Sequence, residues 1–271
     1  MTDAVVWFDD PRCCDVPCAG GKGASLAAMT AAGLPVPPGF VVPSWVLERR
    51  VDASALRAAA VARDHERAQA VVAAASAPGE VAEAYERLGG GAVAVRSSAC
   101  AEDSETASYA GQQETYLGVA GAGEVARRVV DCWASFFSER ALFYRERKGS
   151  LEDLGMAVVV QRMVEPEKSG VLFTVDPVQR RRDRMVVEAI FGLGEQVVSG
   201  QATPDHYVVD RAGERKRERL VNGGVLEPSE LVLLAGLGRS LEERFGGPQD
   251  VEWAIAGGEL YLLQSRPVTT L

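Results

Sequence analysis

The sequence predicts an α+β fold of two subdomains around a cleft. Segments with strand and helix character are both plentiful, yet they do not alternate as the βαβ units of a parallel sheet. At 271 residues the chain exceeds one average domain and falls short of two. With 47% hydrophobic and 25% charged residues, it has the composition of a protein that buries an ordinary core.

Residues 20–33, GGKGASLAAMTAAG, read as a glycine turn entering a short helix that Gly33 stops. Pro35, Pro37 and Pro38 exclude helix and lead into a strand at FVVP. Residues 44–88 are rich in alanine and charge, which predicts a solvated helical subdomain. Gly89 to Gly91 break that pattern, and AVAVRSSA follows as a short buried strand ending in small polar residues. Val125, Val129, Trp133, Phe136, Phe137 and Phe143 recur at helical spacing, predicting one long amphipathic helix from Glu124 to Arg147.

Strands are then expected at MAVVVQRMV, GVLFTVDP, MVVEAI and HYVVD, the last two separated by the glycine-bracketed loop GLGEQVVSG. A helix is expected from about Ser229 to Phe245 with Ser229 as its cap. The closing DVEWAIAGGELYLLQSRPV reads as two strands joined at Gly257 and Gly258. The division this suggests is residues 1–120 and 121–271.

The formal net charge of −9 argues against a general nucleic-acid binder, which needs a basic surface. No run of about 18 apolar residues is present, and MTDAVVWFDD lacks a charged region followed by an apolar one. Neither a membrane span nor a signal peptide is expected, and the cytoplasm is the expected location. Cys13, Cys14 and Cys18 crowd together without a CxxC pair or a nearby histidine, so reduced thiols are favoured over a zinc site.

Several residues are suited to phosphate chemistry. Gly20 to Gly23 permit close backbone approach to an anion, and a helix starting there aims its N–H groups at it, with Lys22 adding a mobile charge. Taken alone, a glycine-rich helix start is as well explained as a simple turn. Arg96 ends an apolar strand, where either a structural salt bridge or an anionic ligand would satisfy it. Gly111 and Thr115 lie in SYAGQQET, a polar loop suited to covering phosphates or to the surface.

Glu252, Gln264 and Arg266 are polar positions inside apolar strands, and Gln264 and Arg266 share one face by the strand period. A carboxylate and an amide oxygen can ligate magnesium, and the arginine can neutralise charge on a transferring group. Glu252 faces the side of Gln264 only if the connection is a three-residue loop or contains a bulge; a plain two-residue turn sets it opposite Leu263.

In order along the chain, GGKGASLAAMTAAGLPVPPGFVV, AVRSSACAEDSETASYAGQQETYLGV, VVVQRMVEPEKSGVLFTVDP, VVEAIFGLGEQVVSGQATPDHYVV and DVEWAIAGGELYLLQSRPVT resemble the ATP-binding domain of phosphoenolpyruvate synthase, pyruvate phosphate dikinase and rifampin phosphotransferase. The resemblance implies an ATP-grasp fold, an ATP-dependent phosphotransferase of kinase or dikinase type, and ATP with Mg2+ as cofactors. Lys22 and Arg96 would hold the β- and γ-phosphates, with the Gly111 to Thr115 loop closing over them. Gln161, the backbone of Met163 and Val164, and Glu165 would line the adenine pocket. Glu252 and Gln264 would bind magnesium and Arg266 would contact the transferring phosphates, while Glu188 and Gly192 to Glu195 would belong to the site wall.

In such enzymes phosphate passes to a histidine on a separate domain. Of the two histidines here, His65 lies in an alanine-rich helical stretch and His206 at a strand start, so neither is expected to carry phosphate. The partner is expected to be a separate phosphohistidine-carrier protein or, alternatively, a small-molecule acceptor. A non-catalytic ATP-binding subunit is the third reading.

Overall fold

The computed structural model describes residues 3–100, 114–194, 200 and 202–269. The chain forms two compact units, Met1–Ala32 with Pro38–Met163, and Gly33–Pro37 with Val164–Leu271. The changeover thus falls at Met163 rather than at the expected 120/121. Val125, Val129 and Trp133, all beyond residue 120, are fully buried in the core of the first unit.

The first unit holds a five-stranded antiparallel sheet in the order β1-β2-β5-β3-β4. Its strands are β1 (Val6–Trp7), β2 (Gly39–Val42), β3 (Val93–Ala99), β4 (Thr115–Val119) and β5 (Met156–Arg162). Phe40, Val42, Val93, Val95, Val158 and Val160 alternate along their strands and join one apolar cluster. Helices α2 (Trp45–Arg50), α3 (Ala53–Val61), α4 (His65–Ala73), α5 (Gly79–Arg87) and α6 (Ala122–Ser135) supply most of the rest of that cluster. Residues 44–88 are therefore helical as expected but are not a separate solvated subdomain: Leu47, Leu56, Val72 and Val81 are fully or almost fully buried. Their many alanines make thin helices that pack closely, and Asp52 and Asp64 cap α3 and α4 by accepting from Ala55 and Arg67 N–H.

The long helix expected from Glu124 to Arg147 is two helices. It breaks after Ser135, and Ser138, in extended conformation, caps α7 (Glu139–Lys148) through its hydroxyl. Phe136 and Phe137 fill the break and stack against the guanidinium of the fully buried Arg145. Arg145 in turn donates to the carbonyls of Phe136, Ser150, Leu151 and Asp153. Phe143, read as a core position, is exposed beneath Arg147.

The second unit is a six-stranded antiparallel sheet in the order β11-β10-β6-β7-β8-β9. Its strands are β6 (Lys168–Phe173), β7 (Arg184–Phe191), β8 (Asp205–Asp210), β9 (Arg215–Arg219), β10 (Gln249–Ala256) and β11 (Glu259–Pro267). Helix α8 (Pro228–Phe245) packs on one face, where Gly238 lets it approach so closely that a Cβ there would lie 3.2 Å from Leu172. Its cap is Glu227, in a reciprocal capping box with Glu230, and not Ser229. Strand β9, RKRER, has no apolar alternation and is exposed throughout, so it escapes a reading based on hydrophobic period. The segment 33–37 belongs to this unit, with Leu262 N–H donating to Pro35 O at 2.8 Å.

Asp205 fastens the 221–225 loop. Its Oδ1 accepts from Val221 and Asn222 N–H, both at 2.6 Å, and its Oδ2 from Gly224 and Val225 N–H at 3.0 and 2.9 Å. The residue is fully buried, which by itself raises a carboxyl pKa; the four backbone donors outweigh that and hold it below its ordinary value. A depressed pKa means the ionised form contributes stability above the unfolded-state value of about 3.9, lost as pH falls through the lower folded value. Asp205→Ala should cost about 2 kcal/mol at pH 7 by orphaning four backbone donors, that of Val225 fully buried. In denaturant titrations the gap from wild type should shrink below about pH 4; a gap independent of pH would refute the ionic clasp.

Candidate functional site

In the first unit, the site side chains lie on the sheet face turned away from the apolar cluster. Helix α1 (Val16–Ala31) lies on β3 and is interrupted at Gly20, whose φ of 67° and ψ of 174° are not helical. The glycine is required twice over, by its positive φ and by space, because a Cβ there would sit 2.1 Å from Ser98 O. Ser98 secures both sides of the kink, its Oγ donating to Ala19 O at 2.8 Å and accepting from Gly23 N at 3.2 Å. Lys22 therefore stands just past the kink, not in an open loop, and its Nζ donates to Ser97 O at 3.2 Å.

Arg96 precedes Ser97 on β3, and Lys22 and Arg96 are each only 8% exposed. Thr115, at the start of β4, is directly opposite Arg96. Gln161 is buried on β5 opposite Ala94, two residues from Arg96, and so shares its face. Met163 N–H is committed to Ala92 O at 3.0 Å, leaving its carbonyl as the backbone group suited to a ligand there. Gly111 and Glu195 lie outside the described residues.

In the second unit, the chain of β10 and β11 turns at Gly257 and Gly258, with φ of 60° and 76°, and pairs Ala256 with Glu259. Regular pairing runs as far as Trp253 with Leu262, after which Leu263 is bulged and Glu252 pairs with Gln264. The register continues as a row across the sheet: Gln264, Glu252, Val171, Glu188 and His206 are successive cross-strand partners. Directly paired residues share a face, so both carboxylates, the amide and the imidazole lie on one side. His206 Nδ1 is 3.6 Å from Glu188 Oε1.

The neighbouring pair is Asp250 opposite Arg266, whose Nε and Nη2 both approach Asp250 Oδ2 at 2.8 Å. Burial pushes the Asp250 carboxyl above its ordinary range, Arg266 opposes this, and Glu252 and Glu188 reinforce it. Asp250 escaped the sequence reading although the strand period alone sets it on the face of Glu252. His206, read as a surface or structural residue, belongs to the row. Val164 and Glu165 open this unit, with Glu165 exposed.

The residues thus assemble as two sets. Lys22, Arg96, Thr115 and Gln161 gather on one sheet, and Glu188, Glu252, Gln264 and Arg266 on the other, joined by Asp250 and His206. The first offers buried cations to an anion; the second offers oxygen ligands to a hard cation beside a fixed guanidinium.

The family described as pyruvate phosphate dikinase, AMP/ATP-binding domain, matches residues 16–223 and 213–271. The chain belongs to this family. Among relatives of the dikinase ATP-binding family, a probable phosphoenolpyruvate synthase of Archaeoglobus fulgidus is 42% identical over 98% of this chain and 42% of its own length. Another from Methanothermobacter thermautotrophicus is 39% identical over 100% of this chain and 47% of its own. A rifampicin phosphotransferase from a Streptomyces species is 41% identical over 93% of this chain and 34% of its own. The chain thus spans less than half the length of these relatives. The solved D-alanyl-alanine synthetase A from Vibrio cholerae covers 90% of this chain, and is itself 57% covered, at 12% identity and a TM-score of 0.37. Among the described residues, no helix is long and apolar enough to cross a membrane.

Gly20→Ala tests the seating of α1 that positions Lys22. It should destabilise the protein by about 2 kcal/mol or more, from the left-handed backbone and the overlap with Ser98 O. A melting temperature equal to wild type would show that the kink is not needed.

Proposed function

We propose that the chain binds ATP with Mg2+ in the manner of an ATP-grasp domain and supplies a phosphoryl group, as a phosphotransferase of kinase or dikinase type. The observation that carries this is the direct pairing of Glu252 with Gln264 beside the Asp250–Arg266 pair. A carboxylate and an amide oxygen on one face suit magnesium, which favours oxygen ligands and keeps room for water and phosphate oxygens. Glu252 and Gln264 would hold the ion, which would supply positive charge against the phosphates.

Lys22 and Arg96 engage the β- and γ-phosphates, Thr115 borders them, and Gln161 with the Met163–Val164 backbone and Glu165 receives the adenine. Gly111 would extend the phosphate cover. Arg266, oriented by Asp250, stabilises the charge that develops on the transferring phosphoryl group. Glu188 forms the wall of the metal face. Phosphoryl transfer asks for positioning and charge neutralisation, so no protein nucleophile is needed.

The acceptor is a histidine of a separate carrier protein. Of the two histidines in residues 1–271, His65 begins α4, and His206 Nδ1 lies 3.6 Å from Glu188 Oε1.

Calorimetry with Mg-ATP should show binding that chelation of magnesium weakens. Glu252→Ala and Arg266→Ala should each reduce turnover of ATP labelled at the β or γ position by at least about a hundredfold, the size of loss seen when a charge-stabilising group is removed. Unchanged circular dichroism establishes that the fold survives. Full turnover in either variant would remove that residue from the mechanism, and no Mg-ATP binding by well-folded wild type would end the proposal. AMP with phosphate as products marks dikinase-type chemistry, and ADP a simple kinase.

A further inference from the structure

Beyond Glu188 and His206, the polar row ends on β9. His206 pairs with Arg219, and Val208, two residues on, pairs with Arg217. Arg217 and Arg219 therefore stand on the sheet face that carries Glu252 and Gln264, and both are exposed. Neither side chain forms an ion pair or hydrogen bond among the described residues. The other cations of the strand differ: Arg215 pairs with Glu218 at 2.6 Å, and Lys216 with Asp210 and Glu214 at 2.8 and 2.9 Å. Arg215 and Glu218 are opposite Val209 and Tyr207, on the face covered by α8.

Charges on an edge strand discourage aggregation, a purpose that either sign on either face would serve. That purpose does not account for the arrangement seen here, with Arg215 neutralised on the face of α8, Lys216 neutralised at the bulge, and the two arginines of the site face without a carboxylate partner, in a chain of net charge −9. The arrangement matches an anionic partner on the site face.

Four strand steps separate β10 from β9, about 19 Å at the usual spacing of neighbouring strands. A small acceptor at the metal-binding pair does not reach that far, whereas a protein does. We propose that Arg217 and Arg219 are a docking contact for an acidic surface on the protein that receives the phosphoryl group. This deepens the functional reading above and rests on its placement of the metal at Glu252 and Gln264. Self-pairing of β9 is disfavoured, because an antiparallel copy centred on Arg217 would set Arg215 against Arg219.

The test uses a fluorescein-labelled hexaglutamate peptide as probe, followed by anisotropy at about 50 mM salt, where exposed charges are weakly screened. Two variants remove equal charge from the same strand, Arg217→Gln with Arg219→Gln, and Arg215→Gln with Lys216→Gln. The proposal expects wild type and the second variant to bind alike and the first to bind at least about tenfold more weakly, with Mg-ATP binding unchanged in all three. Equal weakening in both variants, or no peptide binding by wild type, overturns it. So does displacement of the peptide by Mg-ATP, which would make the arginines nucleotide ligands, or tighter binding of a labelled single-stranded oligonucleotide. Failure of wild type to bind Mg-ATP would sink the functional reading separately, since that titration contains no peptide.

Discussion

One extra residue governs the second sheet. In an antiparallel hairpin, side-chain facing is fixed by the count of residues between partners, and a two-residue turn at Gly257–Gly258 would keep Leu262 inward while sending Gln264 and Arg266 inward with it. The bulge at Leu263 changes the count once. Leu262 remains in the core opposite Trp253, and two residues later Gln264 and Arg266 emerge on the polar side opposite Glu252 and Asp250. Core packing and ligand geometry would otherwise compete for the same strand.

The remaining polar groups follow the same separation of duties. Each sheet has one apolar face closed by helices, and its reverse face carries the polar site residues among buried valines. In the first unit Val93, Val95, Val158 and Val160 bury against helices while Arg96 and Gln161 stand on the reverse side near Lys22. Burying cations costs free energy that only good partners offset. The carbonyl of Ser97 holds the Lys22 amine in place, and Asp250 fixes the Arg266 fork before any ligand arrives, so less order has to be imposed on binding.

Much of this was legible in the residues. Apolar alternation located β3, β5, β6, β7 and β8, and the polar interruptions at Glu252, Gln264 and Arg266 identified the second set because nothing in a core strand calls for them. The sequence shows that a bulge or longer turn is required for Glu252 to face Gln264, but it does not locate the bulge, since Leu263 resembles its neighbours chemically. Three failures have distinct causes. Strand β9 is charged and exposed throughout and carries no hydrophobic signal. The break between α6 and α7 lies within a continuous apolar stripe, where Ser138 caps locally and Phe136 and Phe137 stack on Arg145 instead of continuing the helix. The helices of 44–88 look solvated by composition because alanine contributes little to a hydrophobic tally, yet it permits the close approach that buries Leu47 and Leu56.

The five-residue passage from Gly33 to Pro37 has an architectural consequence. It is bonded to β11 through Pro35 and Leu262, although the residues on either side of it belong to the other unit. The second unit is therefore discontinuous in sequence. A fragment cut cleanly at residue 164 lacks a piece of its own sheet border, and one cut after residue 163 carries that piece away from its partner strand. Recombination or domain exchange among related enzymes must respect a boundary the linear sequence does not display, and crossovers that keep residues 33–37 with 164–271 are the ones that preserve both pieces.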